Sequence, residues 1–142
     1  MVKVDFDDLV VRGLHGYVRE VTERLGLSGE CSYVQAEPLG VYLALDGRLP
    51  GYPDRDVALL WDDERGWAAA VETHSGEDLL VQAWFGHDLL PAPHKVARWV
   101  RGLFDGRLQQ PRLVSPRRPQ EDLAARLAPY AVDALMPLPR LA

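Results

Sequence analysis

Residues 57–72 have the sequence VALLWDDERGWAAAVE and predict a β-hairpin. Two apolar segments flank the polar five-residue loop Asp62–Gly66. A polar loop that ends in glycine is a common hairpin connection, because glycine readily adopts the positive φ that such turns need. We therefore expect two adjacent antiparallel strands, with Trp61 and Trp67 close together across the pair.

Strand patterns occur on both sides of this hairpin. Residues alternate with a period of two before it, and another apolar segment follows a Ser-Gly turn after it. Connections this short favour an antiparallel meander, since parallel neighbours need crossover segments of about a dozen residues or more. The five predicted strands are residues 31–36, 41–45, 57–61, 67–72 and 79–85.

Amphipathic helices flank the predicted sheet. Apolar residues recur at three- and four-residue steps from Phe6 to Leu25, and a second such stripe runs from Val96 to Phe104. Both helices can cover one sheet face. The sequence therefore predicts an α+β two-layer domain over residues 1–106, with an N-terminal helix, a five-stranded antiparallel meander and a following helix.

Glycines and prolines mark two further features of the chain. Gly13 and Gly16 each weaken the first helix by up to about 1 kcal/mol relative to alanine, so we expect them to permit close packing on another element, such as the sheet. Residues 107–142 are punctuated by proline and predict an extended tail that packs on the domain or on a partner. A short helix over residues 120–127 is expected in that tail.

Composition and charge indicate a cytoplasmic protein without a membrane segment. No apolar run reaches the roughly 18–20 residues that cross a bilayer, and the single cysteine, Cys31, fits a reducing compartment. Residues 1–94 carry 7 basic and 17 acidic side chains, whereas residues 95–142 carry 9 basic and 4 acidic ones. This asymmetry can steer an acidic surface toward a basic one, within a molecule or between molecules.

Several motifs between residues 40 and 93 carry a family resemblance. They include Gly40–Gly51 (GVYLALDGRLPG), Leu60-Trp61-Asp62, Gly66-Trp67 and Pro91-Ala92-Pro93. In these motifs the chain resembles DUF6292, a family of small actinobacterial proteins of unknown function, over roughly residues 10–105. The resemblance implies no activity, cofactor or catalytic residue.

The sequence contains no recognisable catalytic or metal-binding motif. The four histidines, His15, His74, His87 and His94, lack the spacing of a helical zinc site. Cys31 lies at the start of a predicted strand, where we expect it to act as a small core residue. Glycine patterns for phosphate or dinucleotide binding are absent as well, so we expect no cofactor and a non-enzymatic protein.

Aromatic residues on the predicted strands suggest a binding surface. Trp61 and Trp67, with Tyr42 or Trp84 on the face that the helices leave uncovered, would line an aromatic groove. Glu72 ends an apolar strand and needs a partner if it faces inward, with Arg48 and Arg55 as candidates.

Three function classes follow from these features. The first is an interaction module that binds a protein partner, or a second copy of itself, through its sheet face and tail. The second is a small-molecule-binding protein or enzyme with a pocket between sheet and helices, near Trp61, Trp67, Glu72 and Trp84. The third is a nucleic-acid-associated regulator that uses the basic segment containing Arg112, Arg117 and Arg118, although the net charge of −5 opposes it.

Overall fold

A computed structural model describes residues 6–27, 31–73, 78–86, 88–107 and 123–135, which form three helices and five strands. The elements follow the predicted order, and the α+β class is confirmed. In chain order they are α1 (Phe6–Leu25), β1 (Ser32–Ala36), β2 (Leu39–Ala44), β3 (Val57–Asp62), β4 (Gly66–Glu72), β5 (Leu79–Trp84), α2 (Pro93–Phe104) and α3 (Leu123–Leu135).

The strands form one antiparallel sheet in the order β1-β2-β3-β4-β5, as a meander requires. The predicted hairpin joins β3 to β4, with Trp61 opposite Trp67. Asp62 Oδ1 accepts hydrogen bonds from the backbone N–H groups of Glu64 (2.9 Å) and Arg65 (2.7 Å), which shape the turn. Gly66 closes it with φ of +79°, a conformation that side-chain-bearing residues rarely adopt.

The helices pack on one face of the sheet and enclose the core. From α1 the core receives Leu14, Tyr17, Val18 and Val21, and from α2 it receives Val96, Val100 and Leu103. Alternate strand residues such as Leu43, Leu59 and Val71 meet them and are almost completely buried. The apolar stripes of both predicted helices are thus the surfaces that these helices bury.

The third helix is longer than predicted and packs on α1. Its described part spans Leu123–Leu135 and so extends past the predicted end at residue 127, because the helix continues through Pro129, whose side chain is exposed. The predicted start, residues 120–122, lies outside the described residues. The close packing expected at Gly13 and Gly16 is confirmed, but the neighbour is α3 and not the sheet. A Cβ atom on Gly13 would lie 2.6 Å from the carbonyl oxygen of Leu127, and one on Gly16 would collide with the carbonyl oxygen of Tyr130.

Candidate functional site

Trp61 and Trp67 lie side by side, as predicted, but they belong to the helix-covered face. Their exposed fractions are 2% and 0%. Trp61 Nε1 donates a hydrogen bond to the carbonyl oxygen of Leu89 at 2.8 Å, and Trp67 Nε1 donates one to Tyr17 Oη at 3.0 Å. Both indole N–H groups are therefore hydrogen-bonded inside the core, and neither side chain lines a surface groove.

The segment between β5 and α2 is held by hydrogen bonds to consecutive carbonyl groups. Leu89 O accepts from Trp61, Leu90 O accepts from Arg126 Nη2 at 3.0 Å, and Pro91 O accepts from Tyr17 Oη. The donors come from β3, α3 and α1, so three elements fix the start of α2. The roles of Tyr17 and Arg126 were not predictable from the sequence, because a tyrosine on an apolar helix stripe gives no sign of which backbone group it contacts.

Tyr42 and Trp84 lie on the opposite face of the sheet. The strand register places one residue from each strand in a single row: Tyr33, Tyr42, Leu60, Ala68 and Trp84. Trp61 and Trp67 occupy the neighbouring positions, which point to the other face. The predicted groove, which combined Trp61 and Trp67 with Tyr42 or Trp84, is thus corrected: the two core tryptophans lie on one face of the sheet, and Tyr42 and Trp84 lie on the other.

We call the residues Tyr33, Tyr42, Leu60 and Trp84 the aromatic face. None of them belongs to the helix-covered core, and Tyr33 is 63% exposed. The guanidinium of Arg65 lies 5.5 Å from the ring centroid of Trp84, which is within the range of a cation–π contact. The aromatic face therefore combines partly accessible rings with an apolar centre.

Glu72 lies at one end of this surface and is bound by Tyr42. Tyr42 Oη donates a hydrogen bond to Glu72 Oε2 at 3.1 Å. Partial burial and this bond to a carboxylate raise the pKa of Tyr42. Arg55 Nη1 reaches only the backbone carbonyl of Glu72, at 3.4 Å, and Arg48 pairs with Asp56, so neither predicted arginine binds the Glu72 carboxylate among the described contacts.

A cleft lies between the end of β5 and α2. Its volume is about 300 Å³, and its described lining is Phe85, Lys95, Arg98, Trp99, Gly102 and Arg107. We call it the β5–α2 cleft. The rings of Phe85 and Trp99 meet edge to face, with centroids 5.4 Å apart. None of the pocket residues proposed from sequence lines it, because that proposal placed the pocket around the core tryptophans.

The remaining sequence candidates do not assemble into a site within the described residues. His15 and His94 are exposed on different helices, and Cys31 packs beside the core. No three His, Cys, Asp or Glu residues converge in the described parts of the chain. Five candidates lie outside those parts: His74, His87, Arg112, Arg117 and Arg118.

The comparison with known families agrees with the motifs noted above. The sequence model of DUF6292, a family of unknown function, matches residues 17–102. The chain belongs to the DUF6292 family. The DUF6292 match begins in α1 at Tyr17 and ends in α2, so it contains the whole sheet, both core tryptophans and most of the β5–α2 cleft. No curated protein and no solved structure matches the chain.

None of the described helices combines the length and the apolar character that crossing a bilayer requires.

Proposed function

We propose that this protein is a non-enzymatic, cytoplasmic interaction module whose aromatic face binds a basic partner protein. The observation that carries the proposal is the row of Tyr33, Tyr42, Leu60 and Trp84 across the sheet, outside the helix-covered core. Aromatic residues are enriched in interfaces and dominate their hot spots, because they bring large contact areas at little entropic cost.

The net charge of the segment that contains the sheet supports a basic partner. Between residues 32 and 84 the chain carries ten acidic and three basic side chains. Two of the three arginines are already paired, Arg48 with Asp56 at 2.8 Å and Arg65 with Asp62 at 3.0 Å. The segment that contains the sheet therefore has excess negative charge, which attracts a surface where lysine or arginine surrounds an apolar patch.

The test compares two leucine-to-arginine variants. Leu60 lies at the centre of the aromatic face, and Leu9 is 39% exposed on α1. The tagged full chain is used to capture partners at low salt, and a captured protein is identified, purified and titrated against each variant. We expect the captured protein to be basic. Its Kd should rise about tenfold with Leu60→Arg, because this variant adds a buried like charge to the interface, and should stay unchanged with Leu9→Arg.

Four outcomes would overturn the proposal. The first is a captured protein that binds Leu60→Arg and the unchanged chain equally well, and the second is one with an acidic contact surface. The third is self-association, measured by light scattering and abolished by Leu60→Arg, which would make a second copy the occupant. The fourth is a monomer that captures no protein at low salt.

A further inference from the structure

We infer that the β5–α2 cleft binds a small planar aromatic anion of about bicyclic size. Its volume of about 300 Å³ is roughly twice that of the ~150 Å³ cavity that accepts benzene. It also matches the lower end of the range of about 300–1,000 Å³ that ligand sites occupy. One bicyclic ring system with a short anionic substituent is therefore the appropriate size.

The aromatic part of the ligand is inferred from Phe85 and Trp99. Both side chains are half-buried, so part of each ring is exposed in the cleft while the rest packs against the core. Their edge-to-face contact, with an interplanar angle of 81°, holds the two rings in a fixed relative orientation. A rigid aromatic wall favours a flat ring, which stacks or meets it edge-on with little loss of side-chain entropy.

The anionic part is inferred from Lys95 and Arg98. Both are exposed at the cleft, and within the described chain neither forms an ion pair, whereas Arg107 is bound by Asp105 at 3.0 Å. Lys95, Arg98, Trp99 and Gly102 follow the i, i+3, i+4, i+7 spacing of one helix face. No acidic residue appears in the described lining, and the Asp105 carboxylate is bound to Arg107, so a carboxylate or phosphate in the cleft can meet the charges of Lys95 and Arg98.

This site is separate from the aromatic face proposed to bind a partner. The cleft is formed mainly by α2, and the two surfaces share none of their named residues. Variants in the cleft therefore test the ligand while Leu60→Arg tests the partner. Failure of one proposal leaves the other standing.

Calorimetric titration of the full chain tests the inference with three probes. These are 2-naphthoate, guanosine monophosphate and uncharged 2-naphthamide. We expect saturable binding of at least one anion and about tenfold weaker binding of the amide. Tighter binding of 2-naphthoate would indicate that the ligand is an aryl carboxylate, and tighter binding of guanosine monophosphate would indicate a nucleotide.

A matched pair of charge reversals locates the binding. Arg98→Glu changes the cleft, and Arg19→Glu makes the same change at an exposed position of α1. We expect Arg98→Glu to weaken anion binding about tenfold and Arg19→Glu to leave it unchanged. Equal effects of the two variants, naphthamide binding as tightly as naphthoate where naphthoate binds, or no binding of either anion at millimolar concentration would overturn the inference. Binding of a single-stranded oligonucleotide without binding of the mononucleotide would overturn it too.

Discussion

At the scale of single residues, the hydroxyl of Tyr17 joins three parts of the structure. It accepts a hydrogen bond from Trp67 Nε1 at 3.0 Å and donates one to the carbonyl oxygen of Pro91. Tyr17→Phe would leave the indole N–H of Trp67 and the carbonyl oxygen of Pro91, both buried, without this partner. We expect its free energy of unfolding to fall by about 1–3 kcal/mol, measured by urea denaturation.

Tyr33→Phe is the control for this substitution. Tyr33 is 63% exposed, so loss of its hydroxyl should change the free energy of unfolding by less than about 0.5 kcal/mol. A Tyr17→Phe variant as stable as the unchanged protein would show that the bridge between α1, β4 and the segment before α2 contributes no net stability.

The same hydroxyl predicts sensitivity to alkali. Burial raises the pKa of Tyr17 far above its ordinary value, while a tyrosine in the unfolded chain ionises near pH ~10. The stability that Tyr17 contributes is therefore fully present below pH ~10 and is lost as the pH rises above it.

Urea midpoints measured across this alkaline range check the prediction. Tyr17→Phe should give a shallower fall of the midpoint with pH than the unchanged protein. A residual slope is expected, because burial also raises the pKa values of Tyr42 and Tyr130. Identical slopes in both proteins would contradict the assignment to Tyr17.

At the scale of elements, the contact between α1 and α3 depends on two glycines. Alanine is favoured over glycine in a helix interior by up to about 1 kcal/mol, so propensity alone would make Gly13→Ala and Gly16→Ala stabilising. The backbone of α3 occupies the space that each new Cβ needs. We instead expect each variant to destabilise the protein by about 1–3 kcal/mol, measured by thermal or urea unfolding.

His15→Ala provides the comparison within the same helix turn. His15 is exposed between the two glycines, so this variant should be neutral or slightly stabilising. If both glycine variants were stabilised as well, α3 would not rest on α1 in solution.

The helices and strands were largely predictable from the sequence, but the length of α3 was not. Hydrophobic periodicity locates α1, α2 and the first two strands, and short apolar segments next to turn residues locate β3, β4 and β5. Pro129 suggested a helix end, because proline removes one backbone hydrogen bond and its ring crowds the carbonyl group four residues earlier. The structure shows that α3 continues through Pro129, whose ring lies on the exposed side of the helix. The packing against α1, which is tertiary, outweighs that local penalty.

At the scale of the whole molecule, the sequence predicted the sheet but not which face the helices cover. Alternation is weak in the two central strands: all residues of β4 except Glu72 are buried, and β3 begins with three buried residues. Small alanines on the outer positions, such as Ala58 and Ala70, remain buried without belonging to the core. Apolar character therefore could not separate Trp61 and Trp67 from Tyr42 and Trp84.

Adjacent leucines of β3 test this assignment of the two faces. Leu59 is completely buried in the helix-covered core, whereas Leu60 is half-buried on the aromatic face. Leu59→Arg places an unpaired charge in the core and should cost at least about 4 kcal/mol. Leu60→Arg can extend its charged group into water and should cost less than about 1 kcal/mol.

Thermal unfolding followed by circular dichroism separates the two results. We expect Leu59→Arg to be unfolded or strongly destabilised at room temperature, and Leu60→Arg to melt close to the unchanged protein. Because the two positions differ by one residue, a shift of register by one would exchange their behaviour. Comparable losses in both variants would mean that the aromatic face is as tightly packed as the core, and that it has no room for a partner.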